Sequence, residues 1–561
     1  MNIMFKARKP NFLIIMVDEM RFPPVYENEE IRQWRAKYLK SQNLLKKFAM
    51  EFKRHYAGST ACSPSRATLF TGEYPSLHGV SQTVGMAKNS ADPDVFWLDE
   101  NTVPTMGDYF EKFGYRTFYK GKWHVSDSNI IIPGTNTPLD SFNPITGQPD
   151  EYYTKVYLNA NRLEDYGFNG WIGPEPHGSN PNNSGSSAPT GTGGRDIVFA
   201  KEVTNLLKKL EKSQDDKPWL LVASFVNPHD ITLFGDNTEN SPLFDFEIDP
   251  TVPFVPPPPT QNEDLSTKPS AQKSYKEIYP QALQPISNGE KYRRLYYSLE
   301  KYVDDQIYKV LKTIMNSSMY KDTIIIFTSD HGEQLGAHGL HQKWHNIYEE
   351  SIHVPLIIHS PVLFSGYNST DELTSHVDLI PTMMALANLN EEVAQNKLKC
   401  DHNEVHNLVG KKMCMSNIDK CQIDYKCDKY KISEPIYFWT QDDPTQGLNQ
   451  VNPFTGRPYQ AVSEPNSIEA VIVYLSTKKP GIRHLYKYAR YYDPNSNTTP
   501  QEYEMYNVTL DPFETKNLAN PIFNTPDVEL IRAKLEAILL EQRSKKMLKP
   551  TSVSQIPNEY N

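Results

Sequence analysis

Residues 12–17 read FLIIMV, an apolar run without a polar break that stops at Asp18 and Glu19. A strand with one face in water alternates apolar and polar residues. A continuous run of this length instead reads as a strand covered on both faces, and that requires helices on both sides of its sheet. Asn11–Val17 is therefore predicted to be a buried strand with carboxylates at its C-terminal tip, where α/β sheets place their ligand sites. The same unit recurs. Asp196–Lys212 lines up Ile197, Ala200, Val203, Leu207 and Leu210 on one helical face and leads into a strand at Trp219–Val226. Glu290–Asn316 repeats the spacing with Leu295, Leu299, Val303, Ile307, Val310 and Ile314, then gives way to Thr323–Thr328. Glu27–Phe52 reads as one charged amphipathic helix, and Val103–Phe113 as a short helix before a strand at Tyr115–Tyr119. Val354–His359 and a helical Val377–Leu389 continue the alternation, which predicts an α/β fold with a large doubly wound mixed sheet sandwiched by helices.

At 561 residues the chain exceeds the size at which one core keeps growing, so a large and a smaller unit are expected. From about Ser433 the pattern changes to strand-like Ile436–Thr440, Ile468–Leu475, Ile482–Tyr492 and Glu502–Asn507, closed by a helix over Asp527–Arg543. Residues 1–430 are thus read as the larger unit, and 431–561 as a C-terminal subdomain with a small antiparallel sheet and a terminal helix. Residues 129–195 and 234–285 are too irregular and too long for simple connections and are read as functional rims.

The net charge of −10 argues against a nucleic-acid or anionic-membrane partner. No stretch approaches the 18 or so apolar residues of a membrane span. The apolar run near the N-terminus is too short for a signal sequence, so the chain as it stands reads as cytoplasmic, and as secreted if a leader was trimmed. Cys400, Cys414, Cys421 and Cys427 crowd together without the paired knuckles of common zinc sites; reduced thiols, local disulfides and zinc all stay open.

Residues 62–72 read CSPSRATLFTG. A cysteine at a helix N-terminus meets unsatisfied backbone N–H groups and the positive end of the helix dipole, which favours its thiolate and an anion beside it. Arg66 adds a forked cation one turn along. A bare Cys beside Ser and Pro is ordinarily a packed small residue at a turn; the whole string is harder to explain that way. Asp18 and Glu19 follow one predicted strand and Asp330 and His331 another, so adjacent strand tips can gather the oxygen-rich ligands a divalent cation needs. In GYRTFYKGKWHV, Lys122 and His124 alternate on a segment read as extended, which faces both to one side. His229 follows a strand in SFVNPHD, and Lys343 lies in GLHQKWHN.

The Cys62 string and the stretch Gly114–Val125 resemble the two signatures of the type I sulfatases, members of the alkaline-phosphatase-like superfamily. The resemblance covers most of the chain, through the terminal EMYNVTLDPFETKNLA. It implies that Cys62 is oxidised by a formylglycine-generating or equivalent modifying enzyme to formylglycine. The hydrate of that aldehyde attacks the sulfur of a small-molecule or saccharide sulfate ester, and its second hydroxyl then expels sulfate. It also implies metal binding by Asp18, Asp330, His331 and the modified Cys62, with Glu19 a further ligand that departs from the usual aspartate. The mainly oxygen set points to Ca²⁺ or Mg²⁺, and the imidazole leaves room for Mn²⁺. By the same resemblance Lys122 stabilises the formylglycine hydroxyls and His124 helps break the intermediate down. His229 contacts sulfate and is a candidate proton donor, and Lys343 neutralises a sulfate oxygen. Two rivals stand beside this reading: a phosphonate or phosphate ester hydrolase on the same scaffold, and a non-catalytic anion-binding protein with an unmodified Cys62.

Overall fold

Alternate side chains of the first strand divide between two cores. The computed structural model describes residues 9–176, 180–189, 192–415 and 434–551. Its main sheet contains β1 (Asn11–Asp18), β2 (Ala49–Tyr56), β3 (Arg116–Gly121), β4 (Trp219–Pro228), β5 (Thr323–Ser329), β6 (His353–Val354), β7 (Leu356–His359) and β8 (Tyr367–Ser375). Their order is β3-β4-β1-β5-β7-β2-β6, with β8 on β2. The pairs β3/β4, β4/β1, β1/β5 and β2/β8 are parallel, whereas β5/β7 and β2/β7 are antiparallel, so the sheet is mixed.

Phe12, Ile14 and Met16 pack on one face with Ala67, Leu69 and Phe70 of α1 (Cys62–Thr71). Leu13, Ile15 and Val17 pack on the other, against α2 (Arg195–Lys212) and α3 (Gly289–Met315). Each such side chain contributes roughly 1.5–3 kcal/mol by burial, and the double-sided cover is what the unbroken apolar run required.

The main departures are local. The predicted helix Glu27–Phe52 is two short helices, Glu29–Tyr38 and Lys40–Leu45, followed by β2. Leu39, at φ −81° and ψ 76°, breaks the helix, and the ladders with β7 and β8 claim Ala49 onward. Pro355, which lacks an N–H, divides the predicted strand Val354–His359. Strand β8, reading YNSTDELTS, was hidden by its polarity. The two long irregular stretches contain helices at Glu151–Ala160 and Ser270–Ala282.

A second sheet of β9 (Ile436–Thr440), β10 (Ser467–Ser476), β11 (Arg483–Tyr492) and β12 (Glu502–Asn507) is wholly antiparallel in the order β12-β11-β10-β9. One face packs Tyr437, Val471 and Tyr488 under Leu535 and Leu539 of α4 (Pro526–Lys546). The other packs Phe438, Ala470 and Tyr491 against Leu340, Trp344 and Tyr348, so this sheet backs the segment that carries Lys343. Cys414 is disulfide-bonded and Cys400 is a free, exposed thiol; Cys421 and Cys427 lie outside the described residues. Among the described residues no helix is long and apolar enough to cross a membrane.

Candidate active site

Because β1 and β5 run parallel with Val17 opposite Ser329, their tips deliver Asp18 and Asp330 side by side. The chain turns sharply at Glu19 (φ 70°), whose N–H donates to Asp330 Oδ1 at 3.1 Å. Cys62 opens α1 directly above: its Sγ lies 3.1 Å from His331 Nε2 and 3.7 Å from Asp18 Oδ1. Single ligand atoms of Asp18, Cys62, Asp330 and His331 all fall within 4.8 Å of one another, and all four residues are buried. His331 Nδ1 is 3.0 Å from the Gly332 carbonyl; with the proton there, Nε2 keeps its lone pair for a cation. Two carboxylates, an imidazole nitrogen and the atom at position 62 thus form a buried donor set that fits a divalent ion.

Arg66 does not stand free for an anion, as its place in the helix suggested. Its fork spans the floor, with Nη2 2.9 Å from Asp18 Oδ2 and Nε 2.7 Å from Asp330 Oδ2. Nη1 donates to the Lys122 carbonyl at 2.7 Å and Ser224 Oγ at 3.1 Å. Nor is the thiolate favoured. Burial, joined by the Asp18 charge, pushes the Cys62 thiol up to about 12 against the pull of Lys122 and Lys343. The helix N-terminus does not offset a dry site with two carboxylates beneath it.

Burial alone would raise the Asp18 carboxyl, but the Lys122 ammonium and the Arg66 guanidinium hold it well below the usual range. The Lys122 ammonium sits 2.7 Å from Asp18 Oδ2. Burial lowers His229 far below an ordinary histidine, with Lys122 adding to the effect, so its imidazole is neutral near pH 7. Glu19 lies outside the four-donor cluster; its carboxylate groups with Asp18 and His229, and its Oε2 is 3.1 Å from Lys343 Nζ. Burial works against the Lys343 charge, yet Glu19 and the neighbouring acids hold this lysine firmly cationic.

The Lys122–His124 segment is not extended. Strand β3 ends at Gly121 (φ 95°), where a Cβ would lie 1.7 Å from the Ser224 carbonyl, so only glycine fits. His124 is left-handed (φ 56°), with its ring 6.1 Å from that of Trp97. Trp123 belongs to the core, packed on Phe70, Tyr119 and Phe168. Trp344 donates from Nε1 to Asp442 Oδ2 at 3.0 Å. The neighbouring histidines serve packing: His338 stacks on Tyr348, and His353 meets Glu349 at 2.9 Å.

Three carboxylates behind the site went unnoticed in the sequence. Asp442, just past β9, accepts from the N–H of Ala61 at 2.9 Å, both donors of Thr83 and the Trp344 indole. Asp230 accepts from the N–H groups of Gly185, Ser186 and Ser187 and so ties the turn at His229 to the long loop. Glu175 accepts from the N–H groups of Trp123 and His124. The available signals were an Asp-Asp pair one residue past a strand end and an Asp directly after the histidine.

The sulfatase family model matches residues 10–389. The chain is 26% identical over 480 residues to the uncharacterized sulfatase YidJ of Escherichia coli (strain K12), covering 83% of both chains. It is 28% identical over 408 residues to the choline-sulfatase of Rhizobium meliloti (strain 1021), covering 68% of this chain and 69% of the relative. Among solved structures, the phosphonate monoester hydrolase of Agrobacterium radiobacter superposes with a TM-score of 0.56 at 17% identity, covering 96% of each chain.

Proposed function

The chain belongs to the sulfatase family and has the alkaline-phosphatase-like fold, and from that premise we propose that it hydrolyses an organic sulfate monoester to alcohol and inorganic sulfate using a formylglycine made from Cys62. The observation that carries this reading is the thiol itself. Cys62 is one of four buried donors at the strand tips, with Sγ 3.1 Å from His331 Nε2, and a sulfur there is a soft nucleophile among ligands that suit a hard oxygen. As a hydrated aldehyde, the same position supplies a hard oxygen for attack and a second hydroxyl whose loss of a proton releases sulfate. Asp18, Asp330, His331 and the modified Cys62 would hold the divalent cation, whose charge would face the sulfate oxygens. The oxygen majority favours Ca²⁺, and the imidazole makes Mn²⁺ the alternative.

The chain's own groups then divide the remaining work. Lys122 lies against Asp18 and stabilises negative charge on the position-62 oxygens; His124, two residues on, takes the proton when the intermediate collapses. Lys343, cationic beside Glu19, faces the leaving oxygen, where negative charge develops in the transition state. His229, being neutral, offers that oxygen an N–H hydrogen bond. Arg66 holds the carboxylates of the floor in register. Residues 1–430 form the catalytic unit in this reading and 431–561 its C-terminal subdomain. A modifying enzyme must meet the chain before it folds, because the Cys62 side chain is buried. The disulfide at Cys414 favours an oxidising compartment over the cytoplasm.

The likeness to the phosphonate monoester hydrolase keeps phosphonate or phosphate ester hydrolysis as the second reading. One experiment separates the two. Protein produced with a formylglycine-generating enzyme, its Cys62 peptide checked by mass, is offered an aryl, a sugar and an alkyl sulfate together with phosphonate and phosphate analogues. Sulfate release is expected to exceed phosphonate turnover and to fall about 10⁴-fold or more in Cys62→Ala. Phosphonate turnover orders of magnitude faster than every sulfate would hand the site to the second reading.

A further inference from the structure

The segment Lys122–His124 leaves its strand, turns left-handed at His124 and brings a lysine against Asp18. A non-glycine residue in that conformation costs about 1–3 kcal/mol and persists only where its surroundings over-determine it. Its carbonyl side is held by the site itself: the Lys122 carbonyl accepts from Arg66 Nη1 and from the Tyr119 hydroxyl, both at 2.7 Å. The Gly121 carbonyl accepts from the Trp171 indole at 2.9 Å. Its N–H side is held by one carboxylate. Glu175 Oε1 accepts from the His124 N–H at 2.8 Å, and both oxygens accept from the Trp123 N–H at 3.2 Å.

Glu175 is only 4% exposed, and among the described residues no Lys or Arg nitrogen forms an ion pair with it. A carboxylate buried without an ion pair is expensive unless its acceptors are filled, and here they are filled by two consecutive backbone N–H groups. The residue is itself anchored on both sides. Its N–H donates to Asn129 Oδ1 at 2.8 Å, and its carbonyl accepts from Asn183 Nδ2 at 2.6 Å.

We propose that Glu175 is the positioning residue of the two-residue catalytic step Lys122 and His124: its carboxylate grips the backbone between them and sets where the ammonium and the imidazole stand relative to position 62. This gives residues 129–195 a definite task, to reach behind the site and clamp a segment that no strand continues. The inference rests on the roles proposed above for Lys122 and His124.

A carboxylate that acts as an acceptor should weaken its grip when protonated. Burial raises Glu175 to about 7, opposed by the His124 N–H and by the charges of Lys122 and Arg66. The other titratable groups facing it are Tyr119 and Tyr157, both pushed upward by burial and so uncharged in this range. Falling pH should therefore loosen the segment, and activity should show an acid limb near neutrality.

The test uses fully modified enzyme and the best sulfate substrate, with Glu175→Ala and Glu175→Gln compared with wild type. Displacing catalytic groups by about an ångström typically lowers turnover on the order of 100-fold. Glu175→Ala is expected to lose kcat by about that factor with KM within roughly threefold. Glu175→Gln keeps an acceptor oxygen and is expected to recover most of the loss at pH 7.5 while its acid limb moves down by about one pH unit or more. Amide exchange at Trp123 and His124, expected to be about tenfold faster or more in Glu175→Ala, reads the grip without any turnover. The inference is overturned if Glu175→Ala keeps kcat within threefold, if Glu175→Gln is as impaired as Glu175→Ala with an unmoved acid limb, or if the two amides exchange as in wild type. Should Glu175→Ala not fold, Glu175→Gln and its pH profile decide. If modified wild type releases no sulfate from any substrate class, the functional reading falls instead, and the exchange measurement still judges the clamp.

Discussion

Carboxylates floor the candidate site and carboxylates brace it, but the two groups are neutralised in different ways. On the floor, Asp18 and Asp330 face cations: the Arg66 fork spans both, and Lys122 adds a second charge at Asp18. In the brace, Asp442 and Glu175 accept backbone N–H groups from the segments that carry Cys62, Lys122 and His124, and Asp230, beside His229, accepts three from the long loop. Floor groups arrive on neighbouring parallel strands, so their separation follows from sheet geometry. Brace groups arrive from a long loop, from the second sheet and from the turn after β4, and each holds a piece of backbone that regular structure has released. In the proposed reading the floor sets charge and metal affinity, while the brace sets position.

If that division is real, breaking the floor should be the more damaging change. Arg66→Lys keeps one positive charge but loses the fork, and a single ammonium cannot span Asp18 Oδ2 and Asp330 Oδ2 as the guanidinium does. One buried carboxylate is left without its partner, which costs about 3–5 kcal/mol. Divalent-cation content and sulfate release should collapse together, turnover by roughly 10³-fold. Metal analysis and thermal unfolding check this, and retention of turnover within tenfold would dissolve the distinction.

Asp442→Asn should be milder and should spare the metal. Asp442 Oδ2 accepts from the Ala61 N–H, the Thr83 hydroxyl and the Trp344 indole, and Oδ1 accepts from the Thr83 N–H. An amide must turn its NH₂ toward donors on one side or the other, leaving at least one buried donor unpaired at about 1–3 kcal/mol. We expect a lower Tm, unchanged cation content and turnover reduced about tenfold to a hundredfold, since Cys62 and Lys343 adjoin the released segments. Loss of the cation in this variant would show that floor and brace are one unit.

The same contrast explains what could be read from the chain. The strand at Asn11–Val17, the helices at α2 and α3 and the C-terminal strands were legible because burial on two faces, or on one helical stripe, leaves a period in the residues. Asp18, Asp330 and His331 were legible because they follow such strands. Strand β2 was not: AMEFKRHY follows a helical stretch and is claimed by ladders with β7 and β8 that no local pattern announces. The electrostatics of Cys62 and Arg66 are not legible in the sequence for a related reason. A helix N-terminus is visible in sequence, but the opposing effect of burial over two carboxylates appears only after folding. Glu175 left no trace because its partners are backbone N–H groups about fifty residues away, and any residue type supplies those.

The finest test of the division uses the opposite pH signs of two buried groups. His78, at the foot of the short turn after α1, is lowered to about 3 by burial. The unfolded chain takes up this proton as pH falls below about 6.5, whereas the folded chain does not, so His78 withdraws stability progressively from about 6.5 down to about 3. Asp196, which accepts from Val226 and Asn227 N–H groups just ahead of His229, is raised to about 7 by burial. Here the unfolded chain ionises first, so stability is undiminished below about 3.8 and is lost as pH rises toward 7. Between about 4 and 6.5 the two slopes oppose at roughly 1.4 kcal/mol per pH unit each and nearly cancel. Chemical denaturation of His78→Gln and Asp196→Asn at pH 4.5 and 5.5 should expose them separately. Relative to wild type, His78→Gln should gain about 1.4 kcal/mol more at the lower pH, and Asp196→Asn about 1.4 kcal/mol more at the higher. Parallel pH profiles for all three proteins would mean that neither group keeps its shifted ionisation.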